Sequence, residues 1–294
     1  MAKITNMEKR LMRSTNEIRK FCFQSSDGHI LYATSVGAIE KDTDSIVVLM
    51  HGGGPDHQSL IPLAKALSSK HSVVLPDLRG YGKTVCYDRN SYTWNRYAED
   101  VRDLIDYLQV PSIILGGAGI GATIALKSAI TFPERLRALI LISIEEIEDD
   151  KAKAKEIELL EAFAARVLSY GIGAAWEPIL KNLSPVIGDM VKDAIPRSEP
   201  ASISAAAAIV YDRAFYDYKE LKDIAIPTFI IPGNDNRHPA VLAKNLVKLL
   251  VNAQLSTTSL SNDIRTIDDF SKSLAPCIKQ FINDLPSEKI LHKD

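Results

Sequence analysis

The residues able to do chemistry in this chain of 294 residues gather in a few short stretches. Leu115-Gly116-Gly117-Ala118-Gly119-Ile120-Gly121-Ala122 joins an apolar strand-like run to a helix-like one. Small residues there let the turn be tight and leave backbone N–H groups pointing outward. Two kinds of chemistry fit the turn. Gly117-x-Gly119-x-x-Ala122 satisfies the looser dinucleotide fingerprint, with Glu145 or Glu146 ending the next strand where an acid can hold a ribose. The same stretch also fits a small-x-nucleophile-x-small elbow in every position except the nucleophile, which is Gly119. Candidate bases and acids lie at other turns: His51 opening His51-Gly52-Gly53-Gly54, the Asp56-His57 pair, and Asp235 with His238 ahead of Pro239. Each has a plainer role beside the chemical one. His57 can be a solvated helix start and His238 a helix cap. Glu145 and Glu146, with Glu148, Asp149 and Asp150, can be an acidic helix start favoured by the helix dipole.

The surrounding pattern must position these groups. Ile18–Gln24 and Ile30–Val36 flank Ser25-Ser26-Asp27-Gly28, a hairpin turn. Ile46–Met50 is a continuous apolar run, the mark of a strand buried on both faces. Helix Ser59–Ser68, strand Ser72–Leu75, helix Trp94–Leu108 (capped by Thr93), strand Ser112–Leu115, helix Ile120–Thr131 and strand Ala138–Ser143 follow. Strands alternating with helices predict a parallel sheet covered on both faces. From Glu145 to about Ile226 the pattern is all-helical, over Lys151–Leu168, Ala174–Asn182, Pro185–Ala194 and Ala201–Arg213. Strand Thr228–Ile231, helix Ala240–Val251, strand Gln254–Ser259 and helix Asp268–Asn283 resume the alternation. The division expected is a leader over 1–17, a core over 18–144 and 227–294, and a helical cap over 145–226.

Composition narrows the function classes. Thirty-five Lys and Arg against 37 Asp and Glu leave a net charge of −2, with no electrostatic footprint for nucleic acid or an anionic membrane. The longest uncharged run, Val110–Leu126, carries Pro111 and four glycines and is too short to span a bilayer. Cys22, Cys86 and Cys277 are far apart and odd in number, which reads as free thiols in a reducing, cytoplasmic compartment. His51, Asp56 and His57 lack a metal-ligand spacing, so no metal and no cofactor is expected. The expected partner is a small-molecule ligand or substrate, and a homodimer is compatible with the pattern.

Context separates the two readings of the turn. A dinucleotide fingerprint sits on the first strand of its unit, whereas a hairpin and two further strands precede this one. His51-Gly52-Gly53-Gly54, Pro76-Asp77-Leu78-Arg79-Gly80-Tyr81-Gly82-Lys83, Phe132-Pro133-Glu134-Arg135-Leu136-Arg137-Ala138-Leu139 and Ile226-Pro227-Thr228-Phe229-Ile230-Ile231-Pro232-Gly233-Asn234-Asp235 follow one another at strand ends. Together these blocks resemble the α/β-hydrolase superfamily over nearly the whole chain, about Ile18 to Asn283. The likeness is to the capped branch that includes epoxide hydrolases, haloalkane dehalogenases and C–C bond hydrolases. It implies an α/β fold, a mostly parallel sheet with helices on both faces and a helical cap inserted after the sixth strand.

The resemblance also implies a nucleophile at 119, an acid at 236 and a histidine soon after the last strand. The chain has Gly119, Asn236 and, around Asn262, no histidine. It implies oxyanion donors from the backbone of Ile120 and of Gly53 or Gly54, a supporting role for His51, and an alternative acid at Glu145 or Glu146. The triad being degenerate, the expected chemistry is cofactor-free and non-covalent: a base-directed water, or lyase, decarboxylase or isomerase chemistry through an enolate. His57, Glu145, Asp235 and His238 are the candidate acids and bases. His51, Gly119 and Trp176 are expected to touch substrate, with Phe163, Met190, Ile195, Tyr211 and Phe215 supplying apolar wall or core. A ligand-binding or scaffolding pseudohydrolase is the alternative. An esterase with a relocated nucleophile at Ser59 or Ser143 comes third beside the dinucleotide reading of Gly117–Ala122.

Overall fold

In the computed structural model the described residues are 17–37, 46–145 and 150–286. Most of the leader and Glu146 therefore lie outside them. Eight strands form one sheet in the order β1-β2-β4-β3-β5-β6-β7-β8. They are β1 (Ile18–Gln24), β2 (Ile30–Val36), β3 (Ile46–Met50), β4 (Ser72–Pro76), β5 (Ile113–Ala118), β6 (Leu136–Ile142), β7 (Thr228–Ile231) and β8 (Ala253–Leu255). β2 pairs antiparallel with both β1 and β4, and every other pairing is parallel. The parallel strands are apolar on both faces because helices cover both. Val47, Val48, Ile114, Leu115, Leu139 and Ile140 are fully buried.

Helices α1 (Ile61–Leu67), α2 (Trp94–Leu108), α3 (Ile120–Thr131), α8 (Ala240–Leu249) and α9 (Ile267–Asp284) flank the sheet. α2 follows a Thr93 cap whose hydroxyl accepts from the Arg96 N–H, and it buries Tyr97, Val101, Leu104, Ile105 and Leu108. Between β6 and β7 run α4 (Asp150–Tyr170), α5 (Ile172–Leu180), α6 (Pro185–Ala194) and α7 (Pro200–Ala206). This helical segment belongs to the same apolar mass as the body. Phe163, Ala164 and Ile172 pack in one cluster with Ile120 and Leu126, and Val186 and Met190 join Phe270 and Leu274 on the other side of the sheet.

Register lines up the strand ends that matter. Met50 pairs with Gly117, Ala118 with Ile142, and Ile142 with Ile231. The loops after β3, β5, β6 and β7 therefore leave the sheet at one level and meet, the usual place for a site in a parallel sheet.

Two elements differ from the sequence expectation. The helix expected over Ala201–Arg213 is α only to Ala206, then a 3-10 turn over Ala207–Tyr211. Ala205–Val210 is buried all round, so tertiary packing and not propensity sets its winding. The last strand ends at Leu255, not Ser259. Just beyond it the Ser256 hydroxyl accepts the Thr258 N–H, a local turn that competes with the ladder. No described helix is long and apolar enough to cross a membrane.

Candidate active site

The β5–α3 turn is built by close approach. A Cβ at Gly117 would stand 2.3 Å from the Gly121 carbonyl carbon, and one at Gly121 2.7 Å from the Met50 carbonyl oxygen. Small residues at both positions let the first turn of α3 seat against the end of β3. Between them Gly119 takes φ 53° and ψ −120°, a conformation that costs an ordinary residue on the order of 1–3 kcal/mol. The chain thus keeps the strained elbow at the position where it has no side chain. The Gly119 N–H donates to Ile142 O at 3.0 Å, pinning the turn to β6. Ile120 is the first residue of α3, so its N–H has no partner within the helix and is free for a ligand.

The loop after β7 supplies the group that faces this turn. His238 Nδ1 and Asp235 Oδ1 are 2.8 Å apart, both side chains nearly buried. A carboxylate only accepts, so Nδ1 carries a proton, and in the neutral ring Nε2 presents its lone pair. A side chain at 119 would begin 3.6 Å from His238 Nε2 and 3.9 Å from Glu145 Oε1. Asp235 Oδ1 also accepts the Arg237 and His238 N–H groups at 3.0 Å each, and Oδ2 accepts the Ser184 N–H and hydroxyl at 3.1 Å each. Burial alone would raise the Asp235 pKa. The hydrogen bond and charge of His238, with the Ser184 donors, outweigh it and hold the acid at about 2.

Glu145, in the loop after β6, has Oε1 3.9 Å from His238 Nε2 and 3.4 Å from Arg237 Nε. Arg237 also pairs with Glu156 of α4. Tyr81, buried and with its hydroxyl 3.7 Å from where a Gly53 Cβ would stand, is held protonated by burial and by Glu145. These groups line one cavity of about 760 Å³ between the strand ends and the helical segment. Gly53, Gly119, Ile120, Trp176 and Asn236 belong to its wall, as do Glu145 and His238. Most of the remaining wall is aliphatic or aromatic, as in Phe163, Met190 and Phe215. Two buried polar atoms in that wall, Ser143 Oγ and Trp176 Nε1, have no hydrogen-bond partner among the described residues. Ser143 also has φ 52°, unusual for a residue with a side chain.

Other candidates are placed elsewhere. His57 is buried with Nδ1 2.8 Å from Asp77 Oδ1 and is absent from the cavity wall, so it is not a solvated helix start. His51 is fully buried, with Nδ1 2.7 Å from Gly52 O and Nε2 accepting the Leu78 N–H at 3.0 Å. Burial lowers its pKa, and neither ring nitrogen is left for a substrate. Gly54 lies behind Trp176 and outside the wall, a Cβ there coming within 2.5 Å of the indole ring. Ser59 is tied to Asp56 O, Asn262 is exposed, Tyr211 is exposed, and Ile195 is outside the wall. Helix α8 has Pro239 at its cap position and no side-chain cap, so His238 does not cap it.

Arg237, Glu156 and Ser184 went unnamed by sequence reasoning, and Tyr81 was quoted only within one of the strand-end blocks. Arg237 had a signal, since it stands between Asp235 and His238 in one short loop. Ser184 had none, because its partner lies 51 residues away.

Comparisons with known proteins bear on the fold and the family. The chain is 29% identical over 104 residues to an uncharacterized protein of Mycobacterium tuberculosis, covering 35% of this chain but only 30% of that protein's length. It is 25% identical over 233 residues to the 2-hydroxy-6-oxo-2,4-heptadienoate hydrolase of Pseudomonas putida, covering 68% of this chain and 77% of the relative. A solved hydrolase structure from Pseudomonas aeruginosa superposes with a TM-score of 0.74 at 21% identity, over 90% of this chain and 98% of that one. The model of the alpha/beta hydrolase family matches residues 47–258, which holds every strand of the parallel sheet and the loops that meet at Gly119, and the chain belongs to that family.

Proposed function

We propose that the protein is a cofactor-free hydrolase of a small, largely apolar carbonyl compound, in which His238 and Asp235 direct a water that stands where the family nucleophile would be. One observation carries this reading: His238 Nε2 points at the vacant side-chain position of Gly119 from a histidine already anchored by an ionised carboxylate. In this scheme water attacks the carbonyl carbon and its proton passes to Nε2. The imidazolium formed is stabilised by Asp235 on one nitrogen and Glu145 near the other. Negative charge gathering on the carbonyl oxygen is met by the N–H groups of Gly53 and Ile120. Collapse of the adduct expels the leaving group, which takes the proton back from Nε2.

The cavity supports an apolar substrate body, and the unpartnered Ser143 hydroxyl and Trp176 N–H support a ligand with hydrogen-bond acceptors. The Pseudomonas putida relative is named for hydrolysis of an unsaturated oxo acid, a compound of that description. The missing nucleophile favours the second reading, a binding protein that holds such a ligand without turning it over. The dinucleotide reading of the Gly117–Ala122 turn has less support, because the turn follows the fifth strand and not the first.

The test is hydrolysis of short-chain nitrophenyl esters and of unsaturated oxo acids by the purified chain. His238→Ala is expected to lower turnover by about 100-fold or more, and Glu145→Gln by less. Turnover indifferent to His238→Ala overturns the reading, and absence of turnover in folded protein that retains a small ligand favours the binding protein.

A further inference from the structure

The carboxylate of Asp235 divides its two oxygens between two parts of the molecule. Oδ1 takes donors from its own loop, the Arg237 and His238 N–H groups and His238 Nδ1. Oδ2 takes the N–H and the hydroxyl of Ser184, which is buried and stands at the start of α6 in the helical segment. Ser184 is the N-cap residue of α6 with Pro185 following, yet its side chain makes no bond to its own helix. An N-cap serine ordinarily accepts an N–H from its own first turn. Here the hydroxyl is diverted across the cavity rim to the acid that orients His238. A second tether acts on the same loop, because Arg237 pairs with Glu156 of α4.

We propose that Ser184 is a positioning residue, through which seating of the helical segment sets both the orientation and the basicity of His238. The proposal rests on the reading of His238–Asp235 as the working base. Its physical content is a charge balance. The two Ser184 donors draw carboxylate charge toward Oδ2, leaving less on the oxygen that faces Nδ1. With the segment seated the imidazolium is favoured less than it would be without those two donors. With the segment lifted, Oδ2 loses both donors and His238 becomes easier to protonate. Among the described residues, the charged groups near His238 are Glu145 from the loop after β6 and Arg237 from its own loop, with Glu156 of α4 held by Arg237; Tyr81, Lys153, Lys155 and Arg213 line the same cavity.

The experiment is an NMR titration of the His238 ring Cε1–H signal in the full chain, for the unaltered protein, Ser184→Ala and Ser184→Thr, with melting curves alongside. Ser184→Ala is expected to raise the His238 midpoint by about half a pH unit, and Ser184→Thr, which keeps the hydroxyl, to restore it. If Ser184→Ala does not fold, Ser184→Cys serves with a weaker donor and a smaller upward shift. Midpoints that coincide in all folded variants overturn the proposal, as does a shift that threonine fails to reverse. The readout needs no substrate, so the outcomes separate. An unchanged midpoint with turnover still dependent on His238 defeats the positioning role alone. A shifted midpoint in a protein without turnover defeats the hydrolase reading alone.

Discussion

Among the described residues the same pair of side chains occurs twice, at the same separation, with different surroundings. His57 and Asp77 meet at 2.8 Å between Nδ1 and Oδ1, and so do His238 and Asp235. The first pair is almost wholly buried and lies outside the cavity wall. Asp77 also accepts the N–H groups of His57 and Lys83, the Tyr32 ring lies 5.3 Å from the imidazole, and the loop is fastened to the helical segment by Arg197 on Asp56. Around the second, the histidine's far nitrogen looks into a cavity across an unfilled backbone position. On the proposed function, a histidine–carboxylate pair is a brace or a base according to whether it borders the cavity. Proximity of the two residue types does not decide between them.

The sharpest way to break this distinction is to fill the vacancy. Gly119→Ser places a hydroxyl on the elbow within reach of His238, and ester hydrolysis is expected to rise by on the order of 100-fold or more. The gain must vanish on adding His238→Ala. It must survive His57→Ala when activity is corrected for the folded fraction. Dependence on His57 instead would exchange the roles of the two pairs.

The next effect is on stability. His57→Ala leaves the buried Asp77 carboxylate without its side-chain partner and is expected to lower unfolding free energy by about 3 kcal/mol, read from denaturant curves. His238→Ala opens onto the cavity, where water can replace the ring, and the loss expected is about 1 kcal/mol. Equal losses would show both pairs to be braces.

The smallest effect is in the acid limb of stability. Asp235 has a folded pKa of about 2 against 3.8 for the free group, so its contribution is complete above about pH 4 and fades as the pH falls toward 2. That shift corresponds to about 2 kcal/mol. Asp77 is lowered too, in the same direction, burial again opposing and the His57 hydrogen bond prevailing. Asp235→Asn should flatten the limb between pH 4 and 2 without removing it, because Asp77 still titrates. A limb unaltered by Asp235→Asn would place the acid sensitivity elsewhere.

Much of this architecture was legible in the sequence where local pattern and tertiary need agree. The Thr93 cap and the apolar stripe of α2, the small residues of the β5–α3 turn, and Pro185 at the head of α6 give elements whose bounds match their patterns. The alanine-rich stretch after Pro200 was misread because its burial on all sides leaves no stripe to read. For the site, Asp235 and His238 were both visible as candidates, yet not as a pair. Their three-residue spacing in one loop brings Oδ1 to Nδ1 only because the chain curls so that the His238 N–H reaches the same oxygen. His57 drew equal notice for standing beside Asp56, whereas its partner is Asp77, on the next strand's loop. Bonds such as Ser184 to Asp235 leave no trace in composition or periodicity.

The elbow at Gly119 has a consequence for how such a chain can change over generations. Its backbone already holds the torsions a nucleophile would demand, which glycine adopts freely and a side chain would meet at a cost of about 1–3 kcal/mol. Glycine and serine codons are mutational neighbours. A substitution there would therefore meet a prepared conformation and a waiting imidazole, with no rearrangement of the chain between the two states. On the proposed function, one codon change therefore separates a site that directs water from one that can form a covalent intermediate.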